Sequence, residues 1–152
     1  MLSRKAKYGL KAVLQLANEF GCGLILISNL AAKQRIPKKF LEQILLELKN
    51  GGILQSKSGK CGGYSLVRPP QQVTLGQVIR VLDGPLAPVP CDSKAFSNCC
   101  ECPDQETCAI RIVMADVFNA ISDILDRTTL EIALERSRAA ATERAHGATY
   151  DI

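Results

Sequence analysis

A chain of 152 residues, 47% of them hydrophobic, is long enough for one packed core with an appended oligomerisation element. Its longest aliphatic run, Leu24 to Ile27, is far below the roughly 20 residues that a membrane-spanning helix needs. The net charge of +4 hides a division: residues 1–82 carry thirteen Lys and Arg against three Glu, whereas residues 83–152 carry six against twelve Asp and Glu, which points to a first half that meets a polyanion and a second half that meets water or another subunit.

Met1-Leu-Ser-Arg-Lys runs into an amphipathic stretch interrupted by Lys11 rather than an apolar leader core, so the expected location is a reducing cytoplasm. From Lys5 to Glu19, Leu10, Val13, Leu14 and Ala17 recur at helical spacing and predict a first helix that Gly21-Cys22-Gly23 ends. Leu24 to Ile27 predicts a short extended segment, and Ser28 is the candidate N-cap of a second helix through Gln34. Pro37 suits the first turn of a third helix with an apolar stripe of Leu41, Ile44, Leu45 and Leu48, stopped by Gly51-Gly52. Lys38, Lys39, Glu42 and Gln43 fall on its opposite face.

Ile53 to Ser56 and Tyr64 to Val67 read as strands around the glycine-rich tip Lys57-Ser-Gly-Lys-Cys-Gly-Gly63, which predicts a β-hairpin. Thr74 can cap a short helix from Leu75 to Leu82. Between Asp83 and Thr107, four prolines and a crowd of cysteines predict irregular chain. A long helix follows from about Cys108, with Ile110, Val113, Met114, Val117, Ile121, Ile124 and Leu125 on one side. A final helix is expected from Thr129, with a flexible tail beyond about Thr142. The expected organisation is a DNA-binding domain over 1–82, a cysteine-rich sensor loop over 83–107, a dimerisation helix and C-terminal helix over 108–141, and a tail over 142–152.

Three helices followed by a hairpin is the order of a winged helix-turn-helix, in which the third helix enters the major groove. The segments Ile36-Pro-Lys-Lys-Phe-Leu-Glu-Gln-Ile-Leu45, Leu48-Lys-Asn-Gly-Gly-Ile-Leu54 and Gly59-Lys-Cys-Gly-Gly-Tyr-Ser-Leu66 carry a more specific signal. In them the chain resembles the winged-helix transcriptional regulators of the IscR, NsrR, RirA and CymR type, from Tyr8 to about Leu130. The resemblance implies a homodimeric bacterial regulator, usually a repressor, that reads a two-fold site on double-stranded DNA, with a mainly α fold, a small β-hairpin and a long C-terminal dimerisation helix. It also places base reading on Pro37, Lys39 and Glu42. Around these, Ser28, Lys38, Gln43, Lys57, Ser58 and Lys60 complete the candidate DNA contacts. Lys and Arg serve guanine edges or phosphates, and Glu accepts from a cytosine amino group. Where the wing of such regulators often carries an Arg, this sequence has Ser58, which leaves phosphate contact to Lys57 or Lys60.

Five of the seven cysteines lie between Cys91 and Cys108. Soft anionic thiolates at that density hold iron-sulfur clusters or zinc. Cys102-x5-Cys108 matches the last two cluster ligands of the resembled family and Cys91 matches the first, which implies a 2Fe-2S or 4Fe-4S cluster. The fourth ligand is open. Arg111 stands where one branch has a His, and Lys7 and Tyr8 stand where another has an acidic residue; Cys99, spaced as Cys99-x2-Cys102, leads Cys100 as the candidate. Zinc that fixes the loop and metal-free thiol switching are the alternative readings, and beyond them a small metal or redox protein that binds no DNA. Cys22, Cys61 and His146 stand apart from the cluster. No nucleophile-base pair, phosphate loop or zinc-water motif points to an enzyme.

The long helix has a broader apolar stripe than one monomer needs, so a second copy is expected to cover it. A change of state in the cysteine loop would then alter the spacing of two recognition helices, which must sit about 34 Å apart to enter successive grooves.

Overall fold

The computed structural model describes residues 2–85 and 107–147. The order is α1 (Arg4–Asn18), α2 (Ile27–Gln34), α3 (Lys38–Asn50), β1 (Leu54–Lys57), β2 (Gly63–Leu66), a 3₁₀ turn (Pro70–Gln72), α4 (Leu75–Asp83), α5 (Ala109–Arg127) and α6 (Leu130–Gly147). No helix among the described residues is long and apolar enough to cross a membrane.

The core is built by the stripes that the sequence displays. Leu41, Ile44, Leu45 and Leu48 of α3 are fully buried against Val13 and Leu16 of α1, Leu30 of α2 and Val78 of α4. Each such aliphatic side chain contributes about 1.5 to 3 kcal/mol on leaving water. The caps are equally local. Ser3 Oγ accepts the Ala6 N–H at 3.0 Å to start α1. Thr74 and Gln77 form a reciprocal capping box at the start of α4, with bonds of 3.2 and 3.3 Å. The Thr129 hydroxyl accepts the Ile132 N–H at 3.3 Å as α6 begins.

Two expectations about the head are corrected. Ser28 does not cap α2; it is the second residue of the helix, and Leu26 is the capping position, without a side-chain bond. The cause is tertiary. Ile25 exchanges two 2.9 Å backbone hydrogen bonds with Tyr64, which pins the extended chain at residues 25 and 26 and lets the helix begin at Ile27. The extended segment expected over Leu24 to Ile27 thus shrinks to one bridging residue. Pro37, expected in the first turn of α3, is instead its N-cap, with φ −57° and ψ 127°. At the other end, Thr142 lies inside α6, which runs on to Gly147.

The hairpin pairs Leu54 with Leu66 and Lys57 with Gly63, in antiparallel register. Ile25 joins its outer edge. Gly63 has φ +150°, and a β-carbon there would lie 2.4 Å from the Ile25 carbonyl oxygen, so backbone rather than a mobile side chain forbids any other residue. Gly63→Ala is expected to cost about 3 kcal/mol in urea unfolding, because neither the φ angle nor the clash can relax without breaking the Ile25–Tyr64 bridge. A loss under about 0.5 kcal/mol would show that the bridge carries no weight.

Helix α5 is the exception to burial. None of its residues is buried, and Ile110, Val113 and Ile124 are 66%, 56% and 62% exposed. Its C-terminal end is nevertheless clasped. Arg80 of α4 donates two hydrogen bonds to the Asp126 carboxylate, at 2.5 and 2.8 Å. These bonds hold the Asp126 carboxyl below its ordinary pKa range and raise the Arg80 guanidinium. Gly76 makes room for the pair, since a β-carbon there would sit 2.2 Å from Asp126 Oδ1. The Leu75 N–H donates to the Thr128 carbonyl and the Leu130 N–H to the Val73 carbonyl, both at 2.9 Å.

Candidate nucleic-acid interface

The N-terminus of α3 concentrates positive potential. Its first turn holds Lys38 and Lys39 and no acidic residue, and its capping residue, Pro37, contributes no side-chain acceptor to the free amides. A helix N-terminus already carries about half a positive charge, so two lysines beside it oppose the dipole and cost stability unless an anion arrives from outside. Pro37, Lys38, Lys39, Glu42 and Gln43 are all exposed, with side chains turned away from the buried stripe. Helix position therefore brings these five candidates together.

Ser28 is exposed one helix earlier, at the start of α2, where an N-terminal hydroxyl can meet a phosphate. Lys57 ends β1, and Ser58 and Lys60 follow in the exposed tip. That tip is tight. A β-carbon on Gly62 would lie 2.2 Å from the Lys57 carbonyl oxygen, and the Gly62 N–H donates to the Gly59 carbonyl at 2.9 Å. The turn thereby fixes where Lys57 and Lys60 leave the backbone. Tyr64 is half-buried and packs on the core, so it is not presented to a ligand.

Two internal ties steady α3. Lys5 of α1 reaches Glu47 at 2.9 Å, and Tyr8 meets Phe40 edge-to-face with ring centroids 5.7 Å apart. Lys33 is neutralised by Glu19 at 2.5 Å, and the ammonium holds that carboxyl below its usual range. Arg35, between α2 and α3, is exposed and lies in the left-handed region at φ 53° and ψ 48°. Residue-type reasoning passes over it, because an Arg in a turn carries no local signal of that conformation.

Of the four candidate metal ligands, Cys91, Cys99 and Cys102 lie outside the described residues, as does Cys100. Cys108 is a half-buried free thiol at the N-cap of α5. Its side chain makes no capping hydrogen bond. Among the described residues no three His, Cys, Asp or Glu side chains gather into a group that could hold a metal. Cys22 and Cys61 are exposed and free. The fit of a cluster thus rests on donor chemistry: soft thiolates, one of them at a helix start.

Comparison with known proteins places the whole architecture in company. Residues 2–136 match the model of the Rrf2 family, described as an iron-dependent transcriptional regulator. A Rhodobacter capsulatus protein named as an rrf2-like HTH-type transcriptional regulator is 41% identical over 145 residues, covering 93% of this chain and 97% of that one. The HTH-type transcriptional regulator CymR of Bacillus subtilis is 34% identical over 130 residues, 86% of each chain. The solved structure of CymR, the global cysteine regulator of B. subtilis, superposes with a TM-score of 0.76 at 32% identity, over 90% of this chain and 97% of that one. IscR of T. potens superposes with a TM-score of 0.74 at 28% identity, over 92% and 90%. The Rhodobacter and Bacillus relatives are named as regulators, not enzymes.

Proposed function

The chain belongs to the Rrf2 family of winged-helix transcriptional regulators, and from that premise we propose that it works as a homodimeric repressor whose DNA affinity is set by a cysteine-ligated iron-sulfur cluster. The observation that carries the DNA half of the reading is the uncompensated positive start of α3. Lys38 and Lys39 would meet phosphates or guanine edges, Glu42 and Gln43 would face bases, and Pro37 would set the entry of the helix. Ser28, Lys57, Ser58 and Lys60 would fix the register on the flanking backbone.

Cys91, Cys102 and Cys108 would hold the cluster, with Cys99 as the fourth ligand. When bound, such a cluster supplies a centre whose presence or oxidation state responds to iron, oxidants or nitric oxide. The chain itself does the rest. Cys108 opens α5, α5 is clasped to α4 through Arg80 and Asp126, and α4 is joined to α1 through Asp83, whose carboxylate accepts from the Ser3 N–H at 2.9 Å and from its hydroxyl. The start of α1 in turn reaches α3 through Lys5 and Glu47. A change at the cysteine segment has a covalent and hydrogen-bonded route to the reading helix. A coupling of about 1 to 3 kcal/mol along it would shift DNA affinity roughly 5- to 150-fold.

Anaerobic purification, visible absorption and iron, sulfide and zinc analysis test the sensing half. A coloured protein with iron and sulfide is expected. A colourless protein with stoichiometric zinc would replace the cluster with the zinc-based regulator. For the DNA half, Lys38→Ala with Lys39→Ala is expected to lower affinity for a duplex selected from a random pool and to flatten its salt dependence by about 0.9 in log-log slope for each lost phosphate contact. An unchanged slope would take α3 out of the interface.

A further inference from the structure

Arg35 is the one non-glycine residue with positive φ among the described residues. It sits where α2 ends in a Schellman turn: the Ile36 N–H donates to the Ala31 carbonyl at 3.0 Å and the Arg35 N–H to the Ala32 carbonyl at 3.3 Å, while Ile36 is buried beneath. Glycine takes this conformation without steric cost, and Asn takes it readily. An arginine there is strained, and the two turn hydrogen bonds with the buried Ile36 hold it in place. Its side chain is exposed and meets no carboxylate among the described residues, whereas Lys33, two residues earlier, is neutralised by Glu19. Moreover, Arg35 lies three residues before Lys38 and four before Lys39, two further cations that have no acidic partner among the described residues, at the positive end of α3. The turn accounts for the backbone but gives the exposed guanidinium no partner among the described residues, and its place beside two lysines at a helix N-terminus suits an outside anion.

We propose that Arg35 is a DNA-backbone contact, its guanidinium taking a phosphate beside the groove that α3 enters. The inference rests on the proposed role of α3. It adds a contact that family motifs do not point to, and it predicts that stability and binding move in opposite directions. Arg is suited to the task because its planar donors can take two phosphate oxygens at once.

The test compares Arg35→Asn and Arg35→Lys with the unsubstituted protein, full-length and in one metal state, on a duplex selected from a random pool. Arg35→Asn is expected to raise the melting temperature by about 2 to 4 °C, as strain is relieved in a chain of this size. The same variant is expected to lower the salt slope by about 0.9 per subunit, which at physiological ionic strength is about fivefold in affinity per contact and about thirtyfold for two subunits. Arg35→Lys keeps the charge and the strain, so slope and melting temperature are expected to stay near the parent values. A normal slope for Arg35→Asn beside a reduced slope for the Lys38 and Lys39 variant overturns this inference alone. Normal slopes for both overturn the reading of α3 as well. Equal loss of slope in Arg35→Lys and Arg35→Asn, with the Arg35→Lys melting temperature unchanged, keeps the contact and assigns it to the paired guanidinium donors; a melting temperature that falls in Arg35→Asn overturns the inference.

Discussion

Ile121→Asp is expected to leave the head folded while turning the protein into a monomer by light scattering and lowering operator affinity about 100-fold or more. Ile121 belongs to the stripe that includes Ile110, Val113, Val117 and Ile124, all exposed on a helix with no buried residue. Five large aliphatic side chains along one face form a patch of the kind that soluble monomers cover with a partner. A second copy matches it chemically, because a self-complementary two-fold contact sets apolar stripe against apolar stripe. An aspartate in the middle would place two carboxylates inside that contact, each losing water without gaining a counter-ion. A lone head would keep half of the DNA contacts and fall toward non-specific affinity. Ile112 supplies the control. It lies nine residues from Ile121, half a rotation around α5, and is itself 52% exposed. Ile112→Asp should therefore remain dimeric. If Ile121→Asp stays dimeric too, the stripe is not the subunit contact.

The second large effect concerns the cysteines. Serine at positions 91, 102 and 108 together is expected to abolish iron and sulfide content and visible absorption. Operator affinity should then no longer respond to anaerobic reconstitution, whereas the parent shifts at least about fivefold. A hydroxyl is too weak a donor to replace a thiolate. The described part of the chain limits collateral damage, since Cys108 sits at a helix cap and contributes nothing to the buried core. Full metal content together with an unchanged response in the triple variant would end the cluster proposal.

Much of the head was legible because its signals are short-range. The α3 stripe, the Thr74 cap and the glycine-rich wing each act within a few residues, and each appears in the structure; the reciprocal bond from Gln77 was not read. The unpartnered face of α5 was legible for a similar reason: too many aliphatic residues with too little chain left to cover them. What local pattern could not supply was tertiary. Ser28 has cap chemistry but is displaced from the cap by the Ile25–Tyr64 bridge, between residues nearly forty positions apart. Arg35 has no propensity for the conformation it holds. The continuation of α6 past Thr142 has no apolar stripe to announce it, only strong helix formers such as Glu143, Arg144 and Ala145. Of the candidate site, the reading-helix residues share one exposed surface, while three of the four thiols lie outside the described residues.

The clasp around Asp126 has one more consequence. Among the described residues the ties between α5 and the head gather at Asp126, Thr128 and Leu130, so this end of the helix acts as a root, with Cys108 about 27 Å along the axis from it. A pivot of about 5° at the root sweeps Cys108 through about 2 Å. Under the proposed cysteine sensing, a displacement of about 2 Å at Cys108 would thus be enough to turn the root against α4 by about 5°.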